Sequence, residues 1–274
     1  MNGLQTRELT LHYGEQPIIH NLSFSVPLQQ ITVLVGANGS GKSTLLRSMA
    51  RLLKPASGHV LLDNKELHNI PSKEIAKHLA ILPQGPVAPE GITVEQLVKQ
   101  GRYPHQRWYQ QWSEEDERLV EQALAATQLL TLKDKQLDAL SGGQRQRAWI
   151  AMTLAQETPI LLLDEPTTYL DMTHQIELLD FLFDLNRTKQ RTIVMVLHDL
   201  NLACRYADHL VAIHNKTVAL QGAPEEIVTT QMVQEIFGME AMISQDPLFG
   251  TPLCIPKGKG RFIKSTSSSY VTIQ

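Results

Sequence analysis

The clearest chemistry in the chain lies in Gly36-Ala37-Asn38-Gly39-Ser40-Gly41-Lys42-Ser43-Thr44. These residues fit Gly-x-x-x-x-Gly-Lys-Ser/Thr, the spacing of a loop that wraps its backbone around a polyphosphate. Glycine lets the N–H groups turn inward and come close to the anion. A helix opening near Gly41 points its positive end at the same place. Lys42 adds a mobile positive charge for the β- and γ-phosphates. The Ser43 hydroxyl suits Mg²⁺, which keeps most of its water and takes few protein ligands. The pattern predicts binding of a nucleoside triphosphate.

Two further stretches extend that chemistry. The apolar run Ile160-Leu161-Leu162-Leu163 leads into Asp164-Glu165-Pro166. Two acids at a strand's carboxyl end sit where open α/β sheets hold their ligands. Asp164 is placed to hold Mg²⁺ through water, and Glu165 to polarise the water that attacks the γ-phosphorus. Phosphoryl transfer asks for positioning and charge neutralisation more than for covalent chemistry, so an oriented carboxylate suffices. The other stretch is Leu140-Ser141-Gly142-Gly143-Gln144, followed by Arg145-Gln146-Arg147. A serine and two glycines opening a long helix offer bare amides as a second phosphate site. Ser141 and Gln144 also have the spacing of a capping box, so an ordinary helix start stays open at this point.

The elements that position these residues follow from periodicity. Residues 4–11 and 17–28 alternate apolar and polar around Gly14, as in an antiparallel hairpin. Residues 31–35, 59–63, 79–83, 160–163 and 192–197 read as strands, and 210–214 and 217–221 as a strand pair. Helices are expected over 43–53, over 173–189, over 200–206 and over 225–237, with a short one capped by Ser72. After Gln84 the breaker-rich run Gly85 to Gly91 opens a different region. Capping-box patterns at Thr93 and Ser113 and a helix from Ser141 to about Glu157 make residues 85–157 a mostly helical insertion. The serine run Ser265–Ser269 predicts a disordered tail.

Composition narrows the function classes. The chain has 274 residues, 42% hydrophobic, with a net charge of −3, so no broad basic field favours nucleic acid as a partner. Cys204 and Cys254 are the only cysteines and lack metal-ligand spacing, which suits free thiols in a reducing compartment. The polar amino terminus does not read as a signal peptide, and no apolar run reaches membrane-spanning length.

Together the phosphate loop, Leu-Ser-Gly-Gly-Gln and the run into Asp164-Glu165 resemble the ATP-binding cassette ATPases over about residues 3–240. The resemblance implies a P-loop α/β fold with an antiparallel β subdomain and a helical subdomain at about 85–157. Residues 241–274 are then a carboxyl-terminal extension. It implies ATP and Mg²⁺ as cofactors and a head-to-tail dimer in which Ser141–Gln144 of one copy closes on the γ-phosphate held by the other. By position, Tyr13 matches the ring that stacks on adenine, and Gln84 the glutamine that senses Mg²⁺ and the attacking water. Asp171 matches the residue that couples the two sites, and His198 the histidine that contacts the γ-phosphate.

One cassette, with too short a span from phosphate loop to the Leu140–Gln144 signature for a coiled-coil arm, disfavours both chromosome-maintenance and translation cassettes. A soluble regulatory or translation cassette with no permease is the reading from another class. Gly101-Arg102-Tyr103-Pro104-His105 and Gly250-Thr251-Pro252-Leu253-Cys254-Ile255-Pro256 resemble the ATPases of iron-chelate, haem and cobalamin importers. Trp108, Tyr109 and Trp112 suit either a partner surface or the core of the helical part. The basic residues Lys257, Lys259, Arg261 and Lys264 read as a solvated tail. The resemblance implies an importer subunit on the cytoplasmic face of the inner membrane, energising uptake of an iron–siderophore complex. Haem or cobalamin is the alternative cargo. Its implied partners are integral-membrane permeases and an extracellular binding protein.

Overall fold

A strand with no polar side survives only if both its faces are covered. That constraint organises the computed structural model, which describes residues 3–106 and 112–260. In chain order these form β1 (Leu4–Tyr13), β2 (Gln16–Ser25), β3 (Ile31–Val35), α1 (Lys42–Met49), β4 (Ser57–Leu62), β5 (Lys65–Glu66), α2 (Ser72–His78) and β6 (Leu79–Leu82). Helices α3 (Val94–Gln100), α4 (Glu114–Ala126) and α5 (Gly142–Ala155) come next, with short 3-10 turns between them. Then come β7 (Ile160–Asp164), α6 (Met172–Lys189), β8 (Thr192–Val196), α7 (Leu200–Tyr206), β9 (His209–His214) and β10 (Thr217–Gly222). The described chain closes with α8 (Pro224–Ile227), α9 (Thr230–Phe237), β11 (Ala241–Gln245) and β12 (Pro252–Pro256).

Among the described residues the central sheet has six strands in the order β10-β9-β3-β8-β7-β6. All its pairs are parallel except β9 with β10. Successive side chains of a strand point to opposite faces. Val33, Leu161, Leu163, Ile193 and Met195 therefore enter one apolar cluster, and Leu34, Leu162, Val194 and Val196 another. The first cluster is completed by α3, α4, α5, α6 and α9. The second is completed by α1 and by the antiparallel sheet β2-β1-β4-β5. The expected hairpin, strands and helical stretch are all present.

Three expectations need correction, and one hairpin lies outside them. The first helix ends at Met49, not Leu53, because Arg51 takes a left-handed φ of 62° and turns the chain before Pro55. Ser72 is the first residue of α2 rather than its cap, a place held by Pro71 without a side-chain bond. The helix expected over 225–237 is two helices, because extended Val228 stops α8 and Thr229 caps α9. The β11–β12 hairpin was not foreseen; it sits on α7, where Asn201 bonds both backbone groups of Cys254. Trp112 is exposed, its indole N–H donating to Glu117 and its ring under Lys99. Trp108, Tyr109, the serine run Ser265–Ser269, Arg261 and Lys264 lie outside the described residues.

The helical part is held by a buried ion pair. Arg102 Nε donates to Asp116 Oδ1 at 2.8 Å, and Arg102 Nη1 to the Ala155 carbonyl at 2.8 Å, tying α4 to the end of α5. Asp116 also closes a capping box with Ser113. Burial opposes ionisation of Asp116, but the hydrogen bonds from Ser113 and Arg102 outweigh it and hold the carboxyl below the usual carboxylate range. Removing one member of such a pair strands the other charge. Asp116→Ala is expected to cost about 3–5 kcal/mol in urea unfolding. Because the folded-state pKa is depressed, the pair's contribution is complete above the ordinary value of 3.8 and is lost as the pH falls below it. Wild type and variant should therefore converge in stability in strong acid.

Candidate active site

Four neighbouring parallel strands leave the sheet on the same side. In the order β3, β8, β7, β6 their carboxyl ends deliver the 36–44 loop, His198, Asp164 with Glu165, and Gln84. A cleft of about 530 Å³ opens there, lined among others by Tyr13, Ile18, Lys42, Gln84, Glu165 and His198. Asn38, Gly39, Gly41, Ser43 and Thr44 complete the wall nearest the loop.

The loop shows why glycine is needed at two positions. Gly36 has φ 146°, and a Cβ there would stand 2.4 Å from the Ile213 carbonyl oxygen. Gly41 has φ 101° and caps α1 with no side chain, leaving that helix's first amides to an external acceptor. Lys42 is buried, and its Nζ donates to the carbonyls of Gly36 and Ala37, both at 2.9 Å, with Ser40 Oγ at 3.5 Å. Burial pushes the ammonium's pKa down, while Glu165 and Asp164 push back. Keeping the lysine charged thus carries a desolvation cost, which an incoming anion would relieve.

The carboxylates occupy different environments. Asp164 is buried, and its Oδ1 accepts from Ser43 Oγ at 2.7 Å. Burial raises its pKa, the Ser43 bond lowers it, and neighbouring Glu165 raises it, for a net rise. Glu165 is half-buried with φ 52°, a left-handed conformation that costs a non-glycine residue about 1–2 kcal/mol. Its carboxylate accepts from Gln84 Nε2 at 2.8 Å and from Thr168 Oγ1 at 3.3 Å, and lies 2.6 Å from His198 Nε2. Two hard oxygens, on Ser43 and Asp164, beside the uncapped amino end of α1, fit a Mg²⁺–phosphate group. A carboxylate held at both oxygens can orient a water once one of its partners yields.

Tyr13, half-exposed at the cleft's mouth, presents its ring beside the loop. The remaining expected residues are placed elsewhere. Ser141 caps α5, and Ser141 and Gln144 form the reciprocal capping box, so the ordinary helix start is present as well. Gly142 and Gly143 open that helix, and Asp171 caps α6 through the amide and ring of His174. None of these lines the cleft. Sequence reasoning missed Thr168 and Ile18. Thr168 lies three residues beyond Glu165, a spacing that would have suggested a turn back onto it. Ile18 looks like an ordinary strand residue.

Donors of this kind at the carboxyl edge of a parallel sheet define a P-loop nucleotide-binding protein. The chain belongs to the ABC transporter family, whose model matches residues 19–168. It is 64% identical over 261 residues to the petrobactin import ATP-binding protein FpuD of Bacillus anthracis, covering 95% of this chain and 96% of that protein. It is 51% identical to the ferric enterobactin transport ATP-binding protein FepC of Escherichia coli (strain K12), covering 97% of each. Among solved structures it is similar to an inward-facing ABC transporter assigned to the metal-chelate type (TM-score 0.80, 26% identity, 94% of this chain and 98% of that one). It is also similar to the dimeric cassette MJ0796 in a post-hydrolysis state with ADP and Pi (TM-score 0.71, 26% identity, 80% and 98%).

Asp164 gives a separable test of site against fold. Its raised folded-state pKa means that the ionised form costs the folded chain stability above the ordinary value of 3.8. Asp164→Asn is expected to raise the melting temperature of the nucleotide-free protein at pH 7, by about 2–4 °C for each kcal/mol relieved, while ATP turnover collapses. The gain should fade as the pH falls below 3.8, where Asp164 is protonated in both states. Differential scanning calorimetry across pH, beside a phosphate-release assay, checks both halves.

Proposed function

We propose that this chain is the ATP-hydrolysing subunit of an importer that carries ferric siderophore complexes across the cytoplasmic membrane. The observation that carries the ATPase reading is the convergence of Lys42, Ser43 with Asp164, and Glu165 held by Gln84 and His198, on one cleft. The cargo class rests on the near-complete match to relatives named for petrobactin import and ferric enterobactin transport.

On this reading Tyr13 stacks on adenine, and the amides of residues 36–44 with Lys42 bind the triphosphate. Ser43, Asp164 and Gln84 would hold Mg²⁺, which when bound neutralises charge on the phosphates. Glu165 orients the attacking water, and His198 contacts the γ-phosphate. Ser141, Gly142, Gly143 and Gln144 of a second copy complete the site, which accounts for their position outside this chain's cleft. The dimeric relative with ADP and Pi supports that assembly. Asp171 couples the two sites. Residues 3–240 form the ATPase domain, with the helical subdomain at about 85–157, and the remainder is an extension. No helix among the described residues is long and apolar enough to cross a membrane. On this reading the chain works peripherally, at the cytoplasmic face, against permease subunits loaded by an extracellular binding protein.

Glu165→Gln should keep nucleotide affinity and lower kcat by about 10²–10⁴-fold, trapping a dimer seen by size-exclusion chromatography with ATP. Turnover at the wild-type rate would sink the water-orienting assignment. Lys42→Ala should lose nucleotide binding or turnover, read by fluorescent-nucleotide titration. Affinity capture from detergent-solubilised membranes should recover a polytopic permease. Growth on single ferric chelates as the iron source, with and without the gene, then identifies the cargo.

A further inference from the structure

Pro166 follows the strained Glu165 and has no N–H, so its carbonyl is the one backbone group it can pair. That carbonyl accepts from the side-chain amide of Gln146 at 3.1 Å, in a buried bond between residues twenty apart in sequence. Gln146 lies three and four residues after Gly143 and Gly142, on the same face of α5. The two glycines lean on the same loop. A Cβ on Gly143 would stand 3.1 Å from Leu170 Cδ2, and one on Gly142 3.8 Å from Tyr169 Cβ. The loop is closed on itself, with Thr168 N–H donating to the Glu165 carbonyl and Thr168 Oγ1 to its carboxylate. One face of α5 therefore meets this segment at Pro166, Tyr169 and Leu170.

We propose that Gln146 is a positioning residue for Glu165. It fastens the loop that aims the carboxylate to the helix whose amino end serves the other nucleotide, so helix and carboxylate move as one body. The inference rests on the ATPase reading above. It goes beyond that reading by giving the second polar residue after Ser141–Gln144 a role in this chain's own chemistry. The competing account is a buried glutamine that only satisfies a carbonyl. That account predicts lost stability with unchanged turnover per folded chain.

The test compares the full chain with Gln146→Met, which keeps the side chain's length and removes the donor, and with Gln146→Glu, which donates only when protonated. Positioning predicts that Gln146→Met lowers kcat about tenfold or more, while KM for ATP and the Kd for fluorescent nucleotide stay within about twofold. It also predicts that Gln146→Glu, taken as a ratio to wild type at each pH, recovers kcat as the pH falls. Wild-type kcat in Gln146→Met, or a loss confined to KM, overturns the proposal. So does a Gln146→Glu ratio that is flat with pH, which remains readable if Gln146→Met fails to fold. Normal turnover in Gln146→Met beside an inactive Glu165→Gln defeats only this inference. Absence of ATP turnover in wild type, or wild-type turnover in Glu165→Gln, defeats the underlying reading.

Discussion

The adjacency of β3, β8, β7 and β6 is the constraint on which the rest depends. These strands run parallel, so every carboxyl end meets one edge of the sheet, and the segment after each strand is delivered to the same place. A loop with a lysine, a histidine, two acids and a glutamine come from segments as far apart as residues 36 and 198. Parallel order requires crossovers packed on both faces. That is why every residue of β3, β7 and β8 is buried and why the alternating side chains feed two separate cores. The site's geometry is thus fixed by packing well away from it.

That rigidity lets the edge hold groups that folding alone would reject. Lys42 and Asp164 are both buried, and burial pulls each away from its charged form. Glu165 sits in a left-handed conformation that a glycine would take at no cost. Each feature opposes stability and, on the proposed reading, serves phosphate chemistry, a conflict typical of functional positions. By contrast, the buried Arg102–Asp116 pair has its charges matched and its remaining bonds made by Ala155 and Ser113, as a structural pair must.

How far the sequence could be read depends on the range of each signal. The phosphate loop is local, and its glycines, lysine and serine announce themselves within a few residues. The strands of the central sheet are short, apolar and bounded by breakers, so they were legible too. Gln84 and His198 gained meaning only by resemblance, because their approach to Glu165 depends on strand order, which periodicity does not encode. The β11–β12 hairpin went unread because its alternation is weak; Met242 and Ile255 stay exposed and its stability comes from docking on α7. Helix ends slipped where a left-handed residue such as Arg51 replaced the glycine that usually marks the stop. Arg102 with Asp116 and Gln146 with Pro166 join helices or loops whose contact no local pattern reveals.

On the proposed reading, α5 serves a site other than its own chain's. Its capping box satisfies the amides of Ser141 and Gln144 from within, which leaves those of Gly142 and Gly143 to an outside acceptor. Its start is exposed at Ser141 and Gly142 and lies away from the cleft of its own chain. An anion-binding helix end with no anion source in the same chain makes chemical sense when a second copy supplies one. On the proposed reading, nucleotide is then the material that joins two chains, and the bond from Gln146 to Pro166 ties the helix at that junction to the residue that follows the water-orienting carboxylate. On that reading the chain gains its full ATPase only as half of a pair.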